Sequence, residues 1–289
     1  MAALDAACVA RDGGRLKLEY GVLRSRPGTR TDDLCWTAGG ELVGFLGLYQ
    51  FSSEAAEVCG MVHPEWRRRG IFTALLDEGL AELRRRRTPR ALLVVHRGFD
   101  AGAALAAKLG ARLEHSEHRM RQLRAPAPLG PGESIVLRPA IAGDAGDETF
   151  VRSCLVAAFG SADFGPDGGT EAGTRIIEAG TRIIEDHGEP VGVMHLDRDS
   201  PTVASIYGFG VLPEWQGRGI GRRALVQASS EVRADGVEEV LLEVEVRNDS
   251  ALRLYERCGF ERRGTEDYYE VLLDGAGGDG GSGGSGAGA

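Results

Sequence analysis

Two stretches of the chain repeat one another, and this internal repeat most constrains the fold. Residues 62–71 read VHPEWRRRGI and residues 211–220 read VLPEWQGRGI, at an offset of 149. The same offset carries LLVV (92–95) onto LLEV (241–244), and the alignment needs no gap over roughly fifty residues. A repeat of that length exceeds a solenoid unit and is close to the size of a domain. We therefore predict an α/β fold in which one unit, built on a mixed sheet, occurs twice.

The composition between and after the copies predicts where they end. Residues 125–133 (APAPLGPGE) are rich in proline and glycine, which is typical of a linker. Residues 275–289 (GAGGDGGSGGSGAGA) contain no large apolar side chain, so we expect a flexible tail that cannot offset its ordering entropy. The predicted domains are therefore residues 1–124 and residues 134–274, each long enough to bury its own core.

A glycine-rich hexapeptide, QGRGIG at 216–221, follows the apolar stretch IYGFGVLPEW and precedes the amphipathic stretch RRALVQASSEV. This order predicts a strand, a tight loop and a helix. The glycines allow several amide N–H groups to converge, and the helix adds unpaired N–H groups and the positive end of its dipole. Such a junction suits an anion, most plausibly a pyrophosphate.

The spacing Gln-x-x-Gly-x-Gly resembles the acyl-CoA signature of the GNAT acetyltransferases. The resemblance implies two tandem GNAT-like domains and acetyl-CoA as co-substrate. The loop would contact only the phosphates of the co-substrate, so it does not determine which acyl chain is transferred. The resemblance also implies which residues contact the co-substrate. These are Val211, Gln216, Gly217, Arg218, Gly219, Ile220, Gly221, Arg222 and Asn248.

The segment LEVEVRNDSALRLYERCGF (242–260) resembles a second GNAT block, especially that of ribosomal-protein alanine N-acetyltransferases. The resemblance implies that Glu243 is the general base and Tyr255 the general acid. An alkyl ammonium has a pKa near 10 and must lose a proton before it attacks a thioester, which a carboxylate can accept. A backbone N–H near Val211 would bind the oxyanion. Glu245 could replace Glu243, Tyr255 could be an ordinary helix aromatic, and Asn248 could be only a helix cap.

The first copy lacks all three of these side chains. At the offset of 149, Val94, Phe99 and Ala106 stand where the second copy has Glu243, Asn248 and Tyr255. Its loop reads RRRGIF, with Phe72 at the position of Gly221. We therefore predict that the second copy is catalytic and that the first is degenerate. The first copy would act as a scaffold or help to form the acceptor site.

The remaining secondary structure of the second copy follows from local patterns. We predict a strand at 135–140, a helical zone from Asp144 to Ile184 that contains EAGTRII twice in succession, and strands at 190–196, 205–211 and 240–246. A short helix is expected at 249–258 and a final strand pair at 260–273. The repeated heptapeptide would lengthen the helix with little rotation of its face.

The composition of the chain argues against several classes of function. A net charge of −9 and a pI near 5.3 argue against a protein that coats nucleic acids. The five cysteines are scattered, without the spacing of metal ligands, so no metal site is predicted. Because neither a signal peptide nor an apolar run of about 20 residues is found, we expect a cytoplasmic protein without membrane association.

The combined prediction is an N-acetyltransferase that moves an acetyl group from acetyl-CoA to a primary amine. Tandem GNAT proteins include mycothiol synthases and acetyltransferases of small amines, so the resemblance favours a small-molecule acceptor. A peptide N-terminus is the second candidate, because of the spacing between Glu243 and Tyr255. A non-catalytic CoA-binding regulatory module is the alternative from another class. The oligomeric state cannot be predicted.

Overall fold

The computed structural model describes residues 1–13, 17–18, 20–50, 52–160 and 176–273, and the tail predicted at 275–289 lies outside them. The first half contains α1 (Ala2–Asp12), α2 (Tyr20–Ser25), β1 (Asp33–Ala38), β2 (Glu41–Tyr49), β3 (Ala55–Val62), α3 (Ile71–Arg85), β4 (Arg90–His96), α4 (Asp100–Lys108) and β5 (Arg112–Gln122). The second half contains β6 (Val136–Pro139), α5 (Ala145–Phe159), β7 (Thr181–Asp186), β8 (Glu189–Ser200), β9 (Val203–Val211), α6 (Ile220–Ala234), β10 (Glu239–Glu245), α7 (Asp249–Arg257) and β11 (Glu261–Leu272).

The same order of elements runs from β1 to β5 and from β7 to β11, and a 3-10 turn precedes α3 and α6 at Pro64–Trp66 and Pro213–Trp215. This confirms the predicted mixed α/β fold with a repeated unit. None of the helices in the described residues is long and apolar enough to cross a membrane.

All eleven strands form one sheet, in the order β1-β2-β3-β4-β11-β5-β10-β9-β8-β7-β6. The last strand of each half is exchanged with the other half. Strand β11 pairs with β4 from Glu266–His96 to Leu272–Arg90, and β5 pairs with β10 from Val240–Gln122 to Glu245–Glu117. The two exchanged strands also pair with each other. The halves are therefore joined through the middle of a continuous sheet.

Helices cover both faces of the sheet, because its strands carry apolar side chains on both sides. In β2, Leu46 packs with α3 while its neighbour Phe45 packs with Cys8 of α1. In β7, Ile184 shares a core with α6, and Ile183 packs with Leu155 of α5. Helices α3 and α6 thus lie on one face, and α1 and α5 lie on the other.

The strands predicted at 135–140, 190–196, 205–211 and 240–246 and the helix predicted at 249–258 are confirmed, within one to four residues at their ends, by β6, β8, β9, β10 and α7. The helical zone is only partly correct. Helix α5 ends at Phe159, and the second EAGTRII (178–184) runs into strand β7. Its two isoleucines lie on opposite faces and are both buried, which suits a strand covered on both sides. In the first copy of this heptapeptide, residues 171–175 lie outside the described part of the chain.

The strand pair predicted at 260–273 is wrong, since β11 is one strand of 12 residues. Its register shifts between Arg262 and Gly264 and again between Tyr268 and Tyr269. A hairpin is not needed here, because β4 and β5 of the first half supply a partner on each side. The physical reason for the error is that the partner strands come from the other half of the chain.

Candidate functional site

The central parallel strands of the second half separate from each other. Strands β9 and β10 pair from Val203–Glu239 to Ile206–Leu242, although β9 continues to Val211 and β10 to Glu245. The register of β8 and β9 shifts beside the separation, where Gly208 has a φ of 56°, a conformation that favours glycine. Within the described structure, the pairing with β10 therefore does not continue along residues 208–211 of β9. The opening can accept an extended group that hydrogen-bonds to this backbone.

The QGRGIG loop lies at the end of the same strand. Gly217 and Gly219 have φ values of 74° and 75°, and α6 begins directly after them at Ile220. A Cβ atom added to either glycine would meet no heavy atom within 4 Å among the described residues. The side-chain amide of Gln216 donates to the carbonyl oxygen of Val211 at 2.9 Å, which ties the loop to the strand. An open loop at a helix N-terminus fits the phosphate role predicted for it.

The arginines of this loop are engaged within the protein. The Arg218 guanidinium donates to the carbonyl oxygen of Glu214 at 2.9 Å and lies 4.7 Å from the centre of the Trp215 ring. Arg222 forms an ion pair with Glu133 at 2.6 Å. The backbone N–H groups therefore suit an anion better than these guanidinium groups do.

Helix α7 carries two of the predicted site residues. The side chain of Asn248 accepts a hydrogen bond from the Ala251 N–H at 3.0 Å, so it does cap this helix. Tyr255 is buried, with its ring 5.9 Å from that of Phe260 in an edge-to-face arrangement. Burial raises the pKa of Tyr255 to about 12, so its hydroxyl keeps its proton at neutral pH. A protonated hydroxyl can donate to a leaving thiolate.

Glu243 lies on the opposite face of β10 from Leu242 and Val244, which pack in the core with α6. Its carboxylate is 2.8 Å from the ammonium nitrogen of Lys17, and that of Glu57 is 3.4 Å away from the same nitrogen. Glu117 is 3.9 Å from it. The Tyr268 hydroxyl accepts a hydrogen bond from Lys17 at 2.8 Å and donates to Glu117 at 2.7 Å. We call Glu57, Glu117, Glu243 and Tyr268 the acidic cluster.

The electrostatics of the acidic cluster follow from burial and from Lys17. Burial raises the pKa of Glu57 and of Glu117, and the Lys17 ammonium opposes that shift. Burial also disfavours the charge on Lys17, but the carboxylates, Glu243 foremost, raise the pKa of its ammonium well above the usual value. Lys17 is therefore a fully charged ammonium in this structure.

The two residues predicted as base and acid occupy different surroundings. Glu243 lies in the acidic cluster, whereas Tyr255 lies in the core between α6 and α7. No hydrogen bond joins their side chains in the part of the chain that is described. Their assignment as base and acid stays a prediction.

Sequence analysis missed Lys17, Glu57, Glu117 and Tyr268. The first three belong to the first half, where no motif marks them. One signal was present: Lys17 and Lys108 are the two lysines of a chain with 34 basic residues. The exchange of β5 and β11 places Glu117 beside β10 and Tyr268 one strand further away, and a sequence repeat does not encode that exchange.

The loop of the first half repeats the second loop contact by contact. The Arg67 side chain donates to the carbonyl oxygen of Val62 at 3.0 Å, as Gln216 does to Val211. Arg68 has a φ of 63° and Gly70 a φ of 78°, close to the values of the equivalent glycines. The differences lie around the loop. Arg67 is bound at 2.8 and 2.6 Å by both carboxylate oxygens of Asp12 in α1, and the pairing of β2 with β3 shows no register shift.

The comparisons with known proteins agree with this geometry. The sequence model of the Acetyltransferase (GNAT) family matches residues 14–111 and 160–260. A mycothiol acetyltransferase of Thermobispora bispora is 30% identical, over 90% of this chain and 91% of that protein. Another, from Kytococcus sedentarius, is 31% identical over 79% of this chain and 78% of that protein.

Two solved structures share the whole architecture. A GCN5-related N-acetyltransferase from Sphaerobacter thermophilus has a TM-score of 0.75 at 22% identity, covering 94% of this chain and 91% of that one. A tandem GNAT protein from the clavulanic acid biosynthesis pathway has a TM-score of 0.64 at 18% identity, covering 94% of each chain. At such identities the likeness concerns the fold.

Proposed function

The chain belongs to the GNAT family and is an acetyltransferase, and from that premise we propose that it transfers the acetyl group of acetyl-CoA to a primary amine of a small molecule. The observation that carries the proposal is the second half's combination of an open glycine loop, separated strands and a carboxylate on β10. The first half has the loop, and its parallel strands β3 and β4 also stop pairing early, at Val58–Leu93, but it lacks the carboxylate and the register shift. The proposed catalytic copy is therefore residues 134–274.

In the proposed reaction the loop from Gln216 to Arg222 binds the pyrophosphate of acetyl-CoA through its backbone N–H groups. The pantetheine arm pairs with β9 beyond Ile206 and reaches Asn248. The acceptor ammonium gives a proton to Glu243, and its nitrogen then attacks the thioester carbonyl carbon. The oxyanion accepts a hydrogen bond from the backbone N–H near Val211. The C–S bond breaks and the thiolate takes a proton from Tyr255. The nitrogen loses its second proton, which returns to the Tyr255 phenolate through solvent, and Glu243 releases the first proton to solvent.

Two observations bear on the acceptor. The relatives at 30% and 31% identity are named mycothiol acetyltransferases, which favours a small-molecule amine of that kind. The spacing between Glu243 and Tyr255 resembles that of enzymes acting on protein N-termini, so a peptide α-amine is the second candidate. A panel of small amines and short peptides, compared by kcat/KM, distinguishes the two.

The experiment that tests the proposed chemistry is the substitution Glu243→Gln. We expect kcat to fall by roughly 10² to 10⁴, the usual contribution of a general base, while the affinity for acetyl-CoA is kept. Thiol release from acetyl-CoA gives the rate, and calorimetric titration gives the affinity. Glu238→Gln is the matched control, since Glu238 is exposed just before β10.

The outcome at Glu245 separates two assignments of the base. If Glu245→Gln loses turnover and Glu243→Gln keeps it, the base is Glu245. Full turnover in both variants would overturn the proposal of a carboxylate base. Tyr255→Phe tests the acid in the same assay, with an expected loss in kcat and no loss in acetyl-CoA affinity.

A further inference from the structure

Lys17 is held in the acidic cluster as a primary ammonium with a complete set of partners. An ammonium has three N–H donors. The Glu243 carboxylate and the Tyr268 hydroxyl each lie 2.8 Å from the Lys17 nitrogen, and Glu57 lies 3.4 Å from it. The nitrogen is also 5.3 Å from the centre of the Tyr268 ring, and 10% of the side chain is exposed. The cluster therefore binds a primary ammonium in this structure.

The acidic cluster and its surroundings hold more carboxylates than one ammonium can pair with. Three carboxylates lie within 4 Å of one ammonium nitrogen. A fourth carboxylate, Glu266, is 1% exposed and directly opposite Glu117 on the neighbouring strand. Its Oε1 contacts His96, but its Oε2 has no hydrogen-bond partner among the described residues. Such a surplus is unfavourable for a simple ion pair, and it suits a site that draws in cations.

The occupant is the residue type that is rare in this chain. Lys17 is one of two lysines among 34 basic residues, and the other, Lys108, is exposed on α4. Arginine forms the ion pairs elsewhere, as Arg138 does with Asp147 and Arg223 does with Asp186. Arginine has no primary amine, so lysine is the basic residue that can imitate the functional group of an amine acceptor.

We propose that the Lys17 ammonium occupies the subsite of the acceptor's ammonium, and that the Lys17 side chain is a built-in competitor that the acceptor must displace. The inference rests on the proposed function, because it names the amine subsite of that same site. Glu243 serves both states, as partner of Lys17 when the subsite is closed and as base when the acceptor has entered. The subsite selects primary ammonium groups, because its three nearest acceptors match their three donors.

The first test uses Lys17→Ala and n-propylammonium, the fragment that this substitution removes. Loss of the buried ammonium should lower the Tm by about 10 °C. Millimolar n-propylammonium should restore most of that loss, whereas tetramethylammonium, with equal charge and no N–H donor, should not. The Tm of wild type and of Lys108→Ala should rise far less with n-propylammonium than that of Lys17→Ala, because Lys17 already fills the subsite in both, and tetramethylammonium should not raise it. Equal rescue by both cations, or none in a folded variant, overturns the subsite.

The second test measures competition. An acceptor that binds only the open fraction of molecules shows an affinity reduced by that fraction. Lys17→Ala should therefore lower the KM for an amine acceptor about threefold or more. An unchanged or higher KM overturns the competitor role.

A measurement on wild type covers the case in which Lys17→Ala does not fold. Acetic anhydride should modify Lys17 far less than Lys108, and n-propylammonium should raise the ratio of Lys17 to Lys108 modification. A constant ratio overturns the proposal. The Tm measurement and the acetic anhydride measurement both run without acetyl-CoA. If the protein fails to bind acetyl-CoA, the proposed function is wrong, but these two measurements can still be interpreted.

Discussion

His195 shows how a single buried side chain makes stability depend on pH. It is 7% exposed, its Nδ1 lies 3.3 Å from the Thr181 hydroxyl, and its ring stacks on Tyr207 at 4.1 Å. The pKa of His195 is lowered to about 4, chiefly by burial and to a smaller extent by nearby Arg182, while Asp197 opposes the shift. The imidazole is therefore neutral in the folded protein over most of the acidic range.

The predicted consequence is a loss of stability on acidification. The unfolded chain binds a proton at His195 below about pH 6.5, whereas the folded chain binds it only near pH 4, so stability is complete above 6.5 and falls between these values. The loss amounts to about 3 kcal/mol. His195→Phe keeps the stacked ring and should remove this slope, as measured by urea unfolding at pH 7.5 and 4.5. His187→Asn, at an exposed position, should keep it. An identical slope in His195→Phe would contradict the assignment.

The candidate site could be predicted from the sequence only where its residues follow one another closely. The loop at 216–221, Glu243 and the Asn248 cap lie on consecutive elements, so a local pattern was enough to find them. Lys17 and Glu57 are more than 180 residues from Glu243 and belong to no motif. Their positions depend on how distant elements pack together, and local periodicity does not predict that packing.

At the scale of elements, the two glycine loops have one backbone conformation and different surroundings. Gly70 and Gly219 share φ values of 78° and 75°, and each precedes the first residue of its helix. In the first loop, Arg67 is paired with Asp12, and Phe72 stands in place of Gly221. Each loop has an ion-paired carboxylate beside it, so the first loop differs in the bulk of Phe72 and in an ion pair at the position of Gln216.

We predict that acetyl-CoA binds at the second loop alone. Gly219→Glu should abolish calorimetric binding, because the carboxylate would repel the phosphates. Gly70→Glu should leave one site per chain. The two variants are matched, since each puts the same side chain at a positive φ with about 1 to 2 kcal/mol of strain. Binding lost in Gly70→Glu and kept in Gly219→Glu would reverse the assignment of the two loops.

At the scale of the whole molecule, the exchange of β5 and β11 ties the halves together. Each exchanged strand has both of its neighbours in the middle of the sheet, and β4 and β10 each rely on a strand of the other half. The two halves therefore meet inside the sheet, where β11 pairs with β5. Residues 125–133 connect them only along the chain.

We predict one cooperative unfolding transition and no separation after cleavage of the linker. A specific protease site inserted between Ala127 and Pro128, both exposed, should give two pieces that co-elute in size-exclusion chromatography. Residues 1–127 produced alone should aggregate, because β4 and β5 would lack their partners. The uncut insertion protein is the control. Two pieces that separate as folded units without denaturant would contradict the prediction.

The repeat predicted the fold class and the matching order of elements, but it could not predict this exchange. Because the copies resemble each other, local sequence patterns do not distinguish whether β5 or β11 is the neighbour of β4 or of β10. Whether the last strands stay in their own halves or are exchanged depends on the length and path of residues 123–135. It also depends on the side chains that meet where β5 pairs with β11.

The exchange of β5 and β11 also limits which parts of a duplicated gene can be deleted. A deletion of the first copy would remove β4 and β5, leaving β10 without one neighbour and β11 without either, so we expect that the second copy would not survive as a smaller enzyme. Substitutions can change the first copy one residue at a time within the intact sheet, as Val94 and Ala106 do at the positions of Glu243 and Tyr255. Because the sheet is continuous, both sequence copies must be kept for the protein to fold, whatever the first copy still binds.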